Sequence, residues 1–514
     1  MSSRSVSVRL FAVVFLVYAY YAQDGWSTNS NRYIALAHSM LTEHRLEITT
    51  WHETTIDTSY VDGRYYAGAA PGPALVLLPF YAVFHAIYPA VPHEVRVRIG
   101  AAAATRLAAR SGRIPAGFDL PEFAISAQCL TILVPPAAGA ALALLLFHYF
   151  RRRLDRESDA LILALLAAFG TTVFHYSTVI FSHVLASLAA FGAFLLLDRE
   201  LGESSAAEFF WAGVLAAAAT TMDYLAFCAT LLLAILAFLR GRTPRTRILF
   251  AAGATLPIFL LAVYQWSAFG SPLLTPYHFP TGPAGAGSHD PVATGFFGMD
   301  HPRPGVLAEL ALGARRGYFL HMPLLLAGFF GLVFGLARRT SPESPSPAPE
   351  IASNRRERTN CAIALGILAA LFLFNSSMKS EYFWLAGTSF GPRYLIPSIP
   401  FTAAGLAIVF RMGVRAKRLT IFLGLISVFF NWLGAMFGAS DKPDSFPLVD
   451  RFWREFLANG PSSTIIRNFA SLARLSPAAA GALGWGTFAL LLLGALWALG
   501  PAWLRGKLTE TGIR

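Results

Sequence analysis

Apolar runs close to 20 residues long recur from one end of this chain to the other, and they decide what it can become. A run of that length crosses a hydrocarbon core only as a helix, because each backbone N–H and C=O must find its partner within the segment. The expected fold is therefore all-α and polytopic. The runs fall at approximately 7–22, 123–149, 160–178, 183–197, 208–222, 224–239, 247–266, 317–337, 360–375, 393–410, 418–437 and 479–504, about twelve spans in one integral membrane domain covering 1–514. Composition agrees. Of 514 residues, 55% are hydrophobic and 14% charged, where a soluble domain carries about 25% charged residues. Cys129, Cys228 and Cys361 each sit inside an apolar run without disulfide or zinc spacing, and read as small buried apolar residues.

The formal net charge of +12 follows the membrane. Arg4 and Arg9, Arg151, Arg152, Arg153 and Arg156, Arg240, Arg242, Arg245 and Arg247, Arg338, Arg339, Arg355, Arg356 and Arg358, and Arg411, Arg415, Lys417, Arg418, Arg505 and Lys507 fall in alternate short loops. That pattern assigns those loops and both termini to the cytoplasm. It leaves no nucleic-acid function to explain, since no recognition motif accompanies the charge. The basic start and first apolar run end in Tyr18, Tyr20 and Tyr21 without a small-residue cleavage site, so an uncleaved first span is expected. The Pro/Ser-rich stretch within 340–358 reads as a cytoplasmic linker.

One run needs a decision. PGPALVLLPFYAVFHAIYPAVP, from Pro71 to Pro92, is long enough to cross, but crossing would invert every later basic loop. Interrupted by Pro79 and bounded by prolines, it is expected to be interfacial or re-entrant within one external loop, 23–122. Arg96, Arg98, Arg106, Arg110 and Arg113 then lie outside, where cations meet lipid phosphate.

That loop begins with a polar stretch, DGWSTNSNRYIALAHSMLTEHRLEITTWHETTIDTSYVDGRYYAGAAP, from Asp24 to Pro71. A membrane scaffold has no need of it; an enzyme working at the bilayer surface does. Ile34, Leu36, Ala37, Met40 and Leu41 are spaced for an amphipathic helix over 29–45 along the membrane surface, capped by Asn29 or Ser30. It reads equally as a cover for the spans beneath or as one wall of a cleft. Carboxylates crowd the stretch, and one beside a cleft can take a proton from a hydroxyl. Asp24, at the exit of the first span, leads as the catalytic candidate, with Asp57 and Asp62 behind it. Asp62 also reads as part of an Asp-Gly turn between two strand-like pieces.

Later external segments carry the other polar groups. HYSTVIFSH brings Tyr176, His175 and His183; without an acidic third ligand alongside, packing is expected there in preference to a metal. Asp223 stands at a span end, where an ionisable group is a functional candidate. Arg315 and Arg316 lie in ARRGYFLHMP, and SEYFWLAGTSFGPRYLIP carries Lys379, Glu381, Trp384 and Arg393 to the mouth of a span. An arginine there can clamp a phosphate with its planar fork or snorkel to headgroups.

NRYIALAHSML, DGRYYAGAAPGPALVLLPFY, FGSPLLTPY, RRGYFLHMP and GTSFGPRYLIP together resemble the integral-membrane glycosyltransferases of the GT-C type that use polyprenyl-phosphate sugars, the group of protein O-mannosyltransferases and lipid A aminoarabinose transferases. The resemblance covers most of the chain in layout. It implies a bacterial cell inner membrane location, an active face outside, a lipid-linked sugar donor and inverting transfer to a hydroxyl on a lipid, glycan or protein. It implies a carboxylate just after the first span, and contacts from Arg32, Tyr33, Arg64 and Tyr66 in the matched motifs, with Arg393, Arg315 and Arg316 on the phosphate and His183, Tyr176 and Trp384 along the cleft. No metal ligand set is assigned, and a need for a divalent metal stays open. Two departures stand out. Asn29 and Ser30 occupy the positions of an acidic pair, and Ala69 that of a lysine. A transporter or flippase, or a silent binding subunit for a polyprenyl-linked substrate, is the alternative; spans without internal repeats or midplane charges speak against transport.

Overall fold

The apolar runs fold as helices where their lengths place them. In the computed structural model, which describes residues 3–23, 27–111, 119–199, 205–280, 298–338, 348–437, 445–461 and 463–510, the chain order is α1 (Ser3–Tyr20), α2 (Thr28–His38), β1 (Thr58–Val61), β2 (Arg64–Ala67), α3 (Gly72–Ile87), α4 (His93–Ser111), α5 (Leu120–Arg151), α6 (Glu157–Phe169), α7 (Val173–Tyr176), α8 (Ser182–Leu197), α9 (Ala206–Met222), α10 (Phe227–Arg240), α11 (Pro244–Phe269), α12 (Pro304–Leu312), α13 (Tyr318–His321), α14 (Leu324–Ala337) and α15 (Ala348–Ser376). A helical run Arg393–Arg411, a helix Val414–Met436 and a final helix Pro477–Glu510 complete the bundle. Among the described residues, 7 stretches are long and apolar enough to cross a membrane, accompanied by shorter apolar helices such as α8 and α9. Large apolar side chains on α10 and α11, including Phe238, Leu239, Ile248, Phe259 and Trp266, point outward, as a lipid-facing surface requires.

Two expected spans are broken. The run 160–178 divides at Gly170 into α6 and α7, and the run 317–337 divides at Pro323 into α13 and α14. Proline cannot donate the bond a continuous helix needs there. Where helices cross most closely, glycine makes room: Gly213 of α9 sits against the Phe250 carbonyl of α11, and Gly253 of α11 against the Phe210 carbonyl of α9.

The bundle has two polar ends. At one, the Asp198 carboxylate after α8 is fully buried and bound by Arg153 after α5, by Arg356 Nε at 3.2 Å and by Asn360 Nδ2 at 2.6 Å. Arg240 of α10 donates to Asn360 Oδ1 at 2.9 Å. Arg153, Arg240 and Arg356 are among the cations assigned to the basic loops. At the other end, the Gln23 amide after α1 donates to the Thr178 carbonyl at 2.7 Å, Gln128 of α5 donates to the Gln23 carbonyl at 3.2 Å, and His183 at the start of α8 meets Asp223 after α9.

The first loop folds over this second end with a core of its own: Tyr33, Ile34, Leu36, Trp51, Tyr66, Leu77, Tyr81, Phe123, Tyr264 and Phe269 are buried together. The helix expected over 29–45 begins slightly earlier, since Ser27 has extended backbone and its Oγ accepts from the Ser30 amide at 3.0 Å. Ser30 to Ala37 are all buried, so α2 is enclosed by the loop instead of lying on a surface. A π-helical turn, Ser39–Glu43, follows it. Strands β1 and β2 form the expected hairpin, pairing Val61 with Arg64 around Asp62 and Gly63, both at positive φ (48° and 81°). Two such residues give the turn whose twist matches the strands.

Helix α3 runs unbroken through Pro79. By length and composition the stretch Gly72–Ala90 could cross a membrane, but its two ends meet the same end of the bundle. Gly72 packs on the Thr221 and Met222 backbone at the end of α9. Tyr81 and His85 bond Glu122 at 2.8 and 2.6 Å, and Tyr88 donates to Asp119 at 3.0 Å, all where α5 begins. These contacts support a helix lying along one face. Single cysteines at Asp62 and His93, which flank α3 and are exposed, should both react with an impermeant maleimide from the same side of sealed vesicles. Labelling from opposite sides would mean that α3 crosses.

His38 closes the second core by stacking on Trp51 at 3.8 Å and sharing the Tyr81 hydroxyl at 2.7 Å. Burial, then the neighbouring His85, bring its pKa down to about 4 against the pull of Asp119. A histidine with a depressed folded pKa contributes stability in full above its unfolded value, about 6.5, and loses it as pH falls toward the folded one. Hydrogen exchange of the α2 amides, corrected for intrinsic rate, should therefore rise between pH 6.5 and 4 in the native chain, and His38→Gln should flatten that dependence.

Candidate functional site

A cavity of about 870 Å³ opens at the end of the bundle covered by the first loop. Its walls come from α2, β1 with the residues before it, the turns at the start of α8 and the end of α9, the segment around Tyr277, and the stretch 374–394. Each wall is held by backbone bonds. Asn31 Nδ2 donates to the Thr54 carbonyl at 2.6 Å and Thr55 Oγ1 to the Thr28 carbonyl at 2.8 Å, which lays the 49–57 segment along α2. Ser59 Oγ donates to the Pro276 carbonyl at 2.7 Å, and the Tyr60 amide to the Phe279 carbonyl at 3.0 Å, which docks the hairpin on the 276–280 segment.

Five charged or titratable side chains matter most. Arg32 on α2 is bonded to Asp57 and donates from Nη2 to the Tyr33 hydroxyl at 3.0 Å. Burial works against its charge, but Asp57, then Tyr33 and Tyr277, raise its pKa above the ordinary arginine value. His183 Nδ1 is bonded to Asp223 Oδ2, which also accepts from Ser182 Oγ at 3.3 Å, while Asp223 Oδ1 accepts from the Leu225 amide at 3.1 Å. Burial alone would raise the Asp223 carboxyl; the histidine and these hydrogen bonds hold it below its usual value. Arg393 lies 5.4 Å over the Phe181 ring and 5.2 Å over Tyr394, with its buried Nε lacking a hydrogen-bond partner. The lining thus holds two carboxylates, each already paired, and one guanidinium, Arg393, without a carboxylate among the described residues. Arg32 lies near enough to repel it. The Arg393 guanidinium is therefore the lining group open to an anionic acceptor.

Of the residues singled out in the sequence, Asp57, Arg32, Tyr33, His183 and Arg393 line this cavity. Asp24 lies outside the described residues. The others have different surroundings. Asp62 is exposed at the hairpin tip, and the exposed Arg64 reaches Glu47 at 3.4 Å. Tyr66 is buried against Phe269, ring centres 5.4 Å apart. Tyr176 donates to the Phe390 carbonyl at 3.0 Å from within the bundle. Arg315 is drawn to Glu381 at 2.7 Å and Glu309 at 3.3 Å, over Trp384, which is itself buried. Arg316, wholly buried, donates to the carbonyls of Leu385 and Gly387 at 3.0 and 3.3 Å. It therefore shapes the wall at Gly387 from behind. Of the departures, Asn29 and Ala69 line the cavity, while Ser30 is buried and donates to the Ile180 carbonyl at 3.3 Å. His175 bonds the Gly434 carbonyl at 2.7 Å inside the bundle, which agrees with packing. No cluster of three or more His, Cys, Asp or Glu able to hold a metal occurs among the described residues.

Tyr224, Tyr277 and Tyr394 also line the cavity. Their position at the ends of apolar runs was the available signal, but aromatic residues gather at membrane interfaces for other reasons.

Gly68 keeps Asp57 in place: its amide donates to the Asp57 carbonyl at 3.0 Å, and a methyl group on it would lie 2.8 Å from that oxygen. Gly68→Ala should lower thermal stability by about 1–3 kcal/mol, the range for overpacking. Gly305→Ala, whose methyl meets nothing within 4 Å, should leave the Tm unchanged in the same assay.

No family model and no curated protein matches this chain. Among solved structures it is similar to ArnT from Cupriavidus metallidurans in the apo state, with 17% identity over 96% of this chain and 76% of that one and a TM-score of 0.46. It is likewise similar to the same protein bound to undecaprenyl phosphate, with 15% identity over 97% and 77% of the two chains and a TM-score of 0.44.

Proposed function

We propose that this chain is a membrane glycosyltransferase that moves a sugar, with inversion, from a polyprenyl-phosphate donor to an acceptor hydroxyl on the external face of a bacterial inner membrane. The observation that carries the reading is Arg393: a guanidinium with a buried Nε, facing a cavity and lacking a carboxylate partner among the described residues. A phosphate supplies the missing charge and the planar acceptor pair that arginine fits. Arg32 adds a second cation held in place by Asp57. The rim near α10 is apolar, with Leu225, Phe227 and Cys228 in the lining and Phe227 exposed, which suits a donor whose tail stays in lipid. The matched sequence motifs point the same way.

In this reading the phosphate oxygen leaves with the electron pair of the sugar C1–O bond, and Arg393 and Arg32 stabilise the charge that develops on it. Tyr33, Tyr277 and Tyr394 offer ring faces and hydroxyls to the sugar. The acceptor is a hydroxyl on a lipid, glycan or protein reaching the cavity from outside. Among the described residues, Asp57 is the carboxylate of the first loop that lines this space, with Oδ2 engaged by Arg32.

Binding of undecaprenyl phosphate to the purified protein, followed by native mass spectrometry, tests the phosphate site. A hydrogen bond to a charged group contributes about 1.5–3 kcal/mol, so Arg393→Ala should weaken binding by about 10- to 100-fold. Arg393→Lys should fall between, keeping the charge and losing the fork. Wild-type affinity in both variants would remove Arg393 from the phosphate site.

A further inference from the structure

We infer that His183, positioned by Asp223, takes the proton from the acceptor hydroxyl; the inference rests on the transferase reading above. The geometry that carries it is the pairing of these two residues on the cavity wall. His183 opens α8 and Asp223 follows α9, so the pair links two helices packed side by side. Both line the cavity and both are nearly buried, at 5% and 7% exposure. With Nδ1 bound to Asp223, the ring orientation is set and Nε2 is the nitrogen available to a group in the cavity. Asp223 in turn is held by Ser182 and by the Leu225 amide, which fixes the carboxylate as well as the ring. A base oriented by a third group in this way is the usual arrangement for activating a hydroxyl.

Asp57 is less suited to the step. Its Oδ2 is committed to Arg32, and losing that contact would free the cation from its place beside the phosphate. The division of labour that follows is spatial: Asp57 holds Arg32, and Asp223 holds His183. Tyr394 meets the His183 ring edge-on at 5.8 Å, and Tyr176 meets it edge-on at 6.1 Å. The phosphate clamp Arg393 is in contact with that same Tyr394. The base and the clamp therefore border one tyrosine, and in this reading the sugar sits beside it, its acceptor hydroxyl at His183 and its phosphate at Arg393.

The step balances. The acceptor oxygen forms a bond to sugar C1 while the C1–O bond to phosphate breaks, its electron pair going to polyprenyl phosphate. The hydroxyl proton moves to His183 Nε2, and Asp223 offsets the imidazolium charge. Of the titratable and charged groups nearby, Asp223 bonds the ring, Tyr176 and Tyr394 meet it edge-on, and Tyr33, Tyr224 and Arg393 line the same cavity.

The test uses the full-length protein in nanodiscs, given an undecaprenyl-phosphate hexose or an undecaprenyl-phosphate pentose with water or a glycan mixture as acceptor, and follows release of undecaprenyl phosphate. His183→Gln should lower kcat by about 10²- to 10⁴-fold with the affinity for undecaprenyl phosphate unchanged. Asp223→Asn should move the acid limb of the kcat/KM profile, which a merely structural residue would leave in place. Imidazole should partly restore His183→Ala. If the wild type turns over a donor and His183→Gln keeps its kcat, the dyad is wrong and the transferase reading stands. An unmoved pH profile in Asp223→Asn also overturns the dyad, and decides the matter should His183→Gln fail to fold. If the wild type binds undecaprenyl phosphate and turns over neither donor, the transferase reading falls and the dyad with it.

Discussion

A charge placed in a low-dielectric bundle has to be paired or moved to an end, and this molecule does both. The charges of the membrane-facing helices are gathered into two polar ends. At the basic end, Asp198 is enclosed by Arg153, Arg356 and Asn360, drawing together the ends of α5 and α8 and the start of α15. Removing one partner would leave a buried charge uncompensated, which is far more destabilising than the pair is stabilising. At the other end the pairs are Arg32 with Asp57 and His183 with Asp223, and these border open space instead of closing it.

The first loop makes that space. It builds a small core from α2, the hairpin, α3 and the start of α5. The hydrogen-bonded chain His38, Tyr81, Glu122 and His85 satisfies the polar groups trapped beneath. A buried network of this kind is stable only when each member is partnered. Because α2 is enclosed, Arg32 and Tyr33 are presented from a rigid element, and the bonds that Asn31 and Thr55 donate to the Thr54 and Thr28 carbonyls set Asp57 beside them.

Charge bookkeeping around the cavity links the structure to the proposed chemistry. Each carboxylate is engaged by one base, and Arg393 has no carboxylate partner among the described residues. In the proposed chemistry a phosphate meets that guanidinium. The same count explains why the histidine, with one ring nitrogen engaged, is suited to proton transfer while the arginine-bound aspartate is suited to holding its partner in place.

The helical, multi-pass architecture was legible in the sequence because hydrocarbon permits so few backbone arrangements that apolar run length alone selects among them. The Asp62–Gly63 hairpin was legible for a similar reason, since few residues tolerate positive φ. Asp57 could be named in advance as a carboxylate of the first loop's polar stretch, Arg32 and Tyr33 from the motif that carries the resemblance, and His183 and Arg393 as polar groups at the ends of apolar runs. What the sequence could not rank was their neighbours. Arg315, Arg316 and Arg393 look alike along the chain, yet Arg315 is neutralised by Glu309 and Glu381 and Arg316 is spent on backbone carbonyls, while Arg393 lines the cavity beside Phe181 and Tyr394 with no carboxylate bonded to it among the described residues. Asp223 and His183 are separated by 40 positions, and only the packing of α8 against α9 makes them a pair. Run length and turn chemistry are local properties, readable from consecutive residues; ion pairing depends on which helix ends meet, and that was decided by tertiary packing.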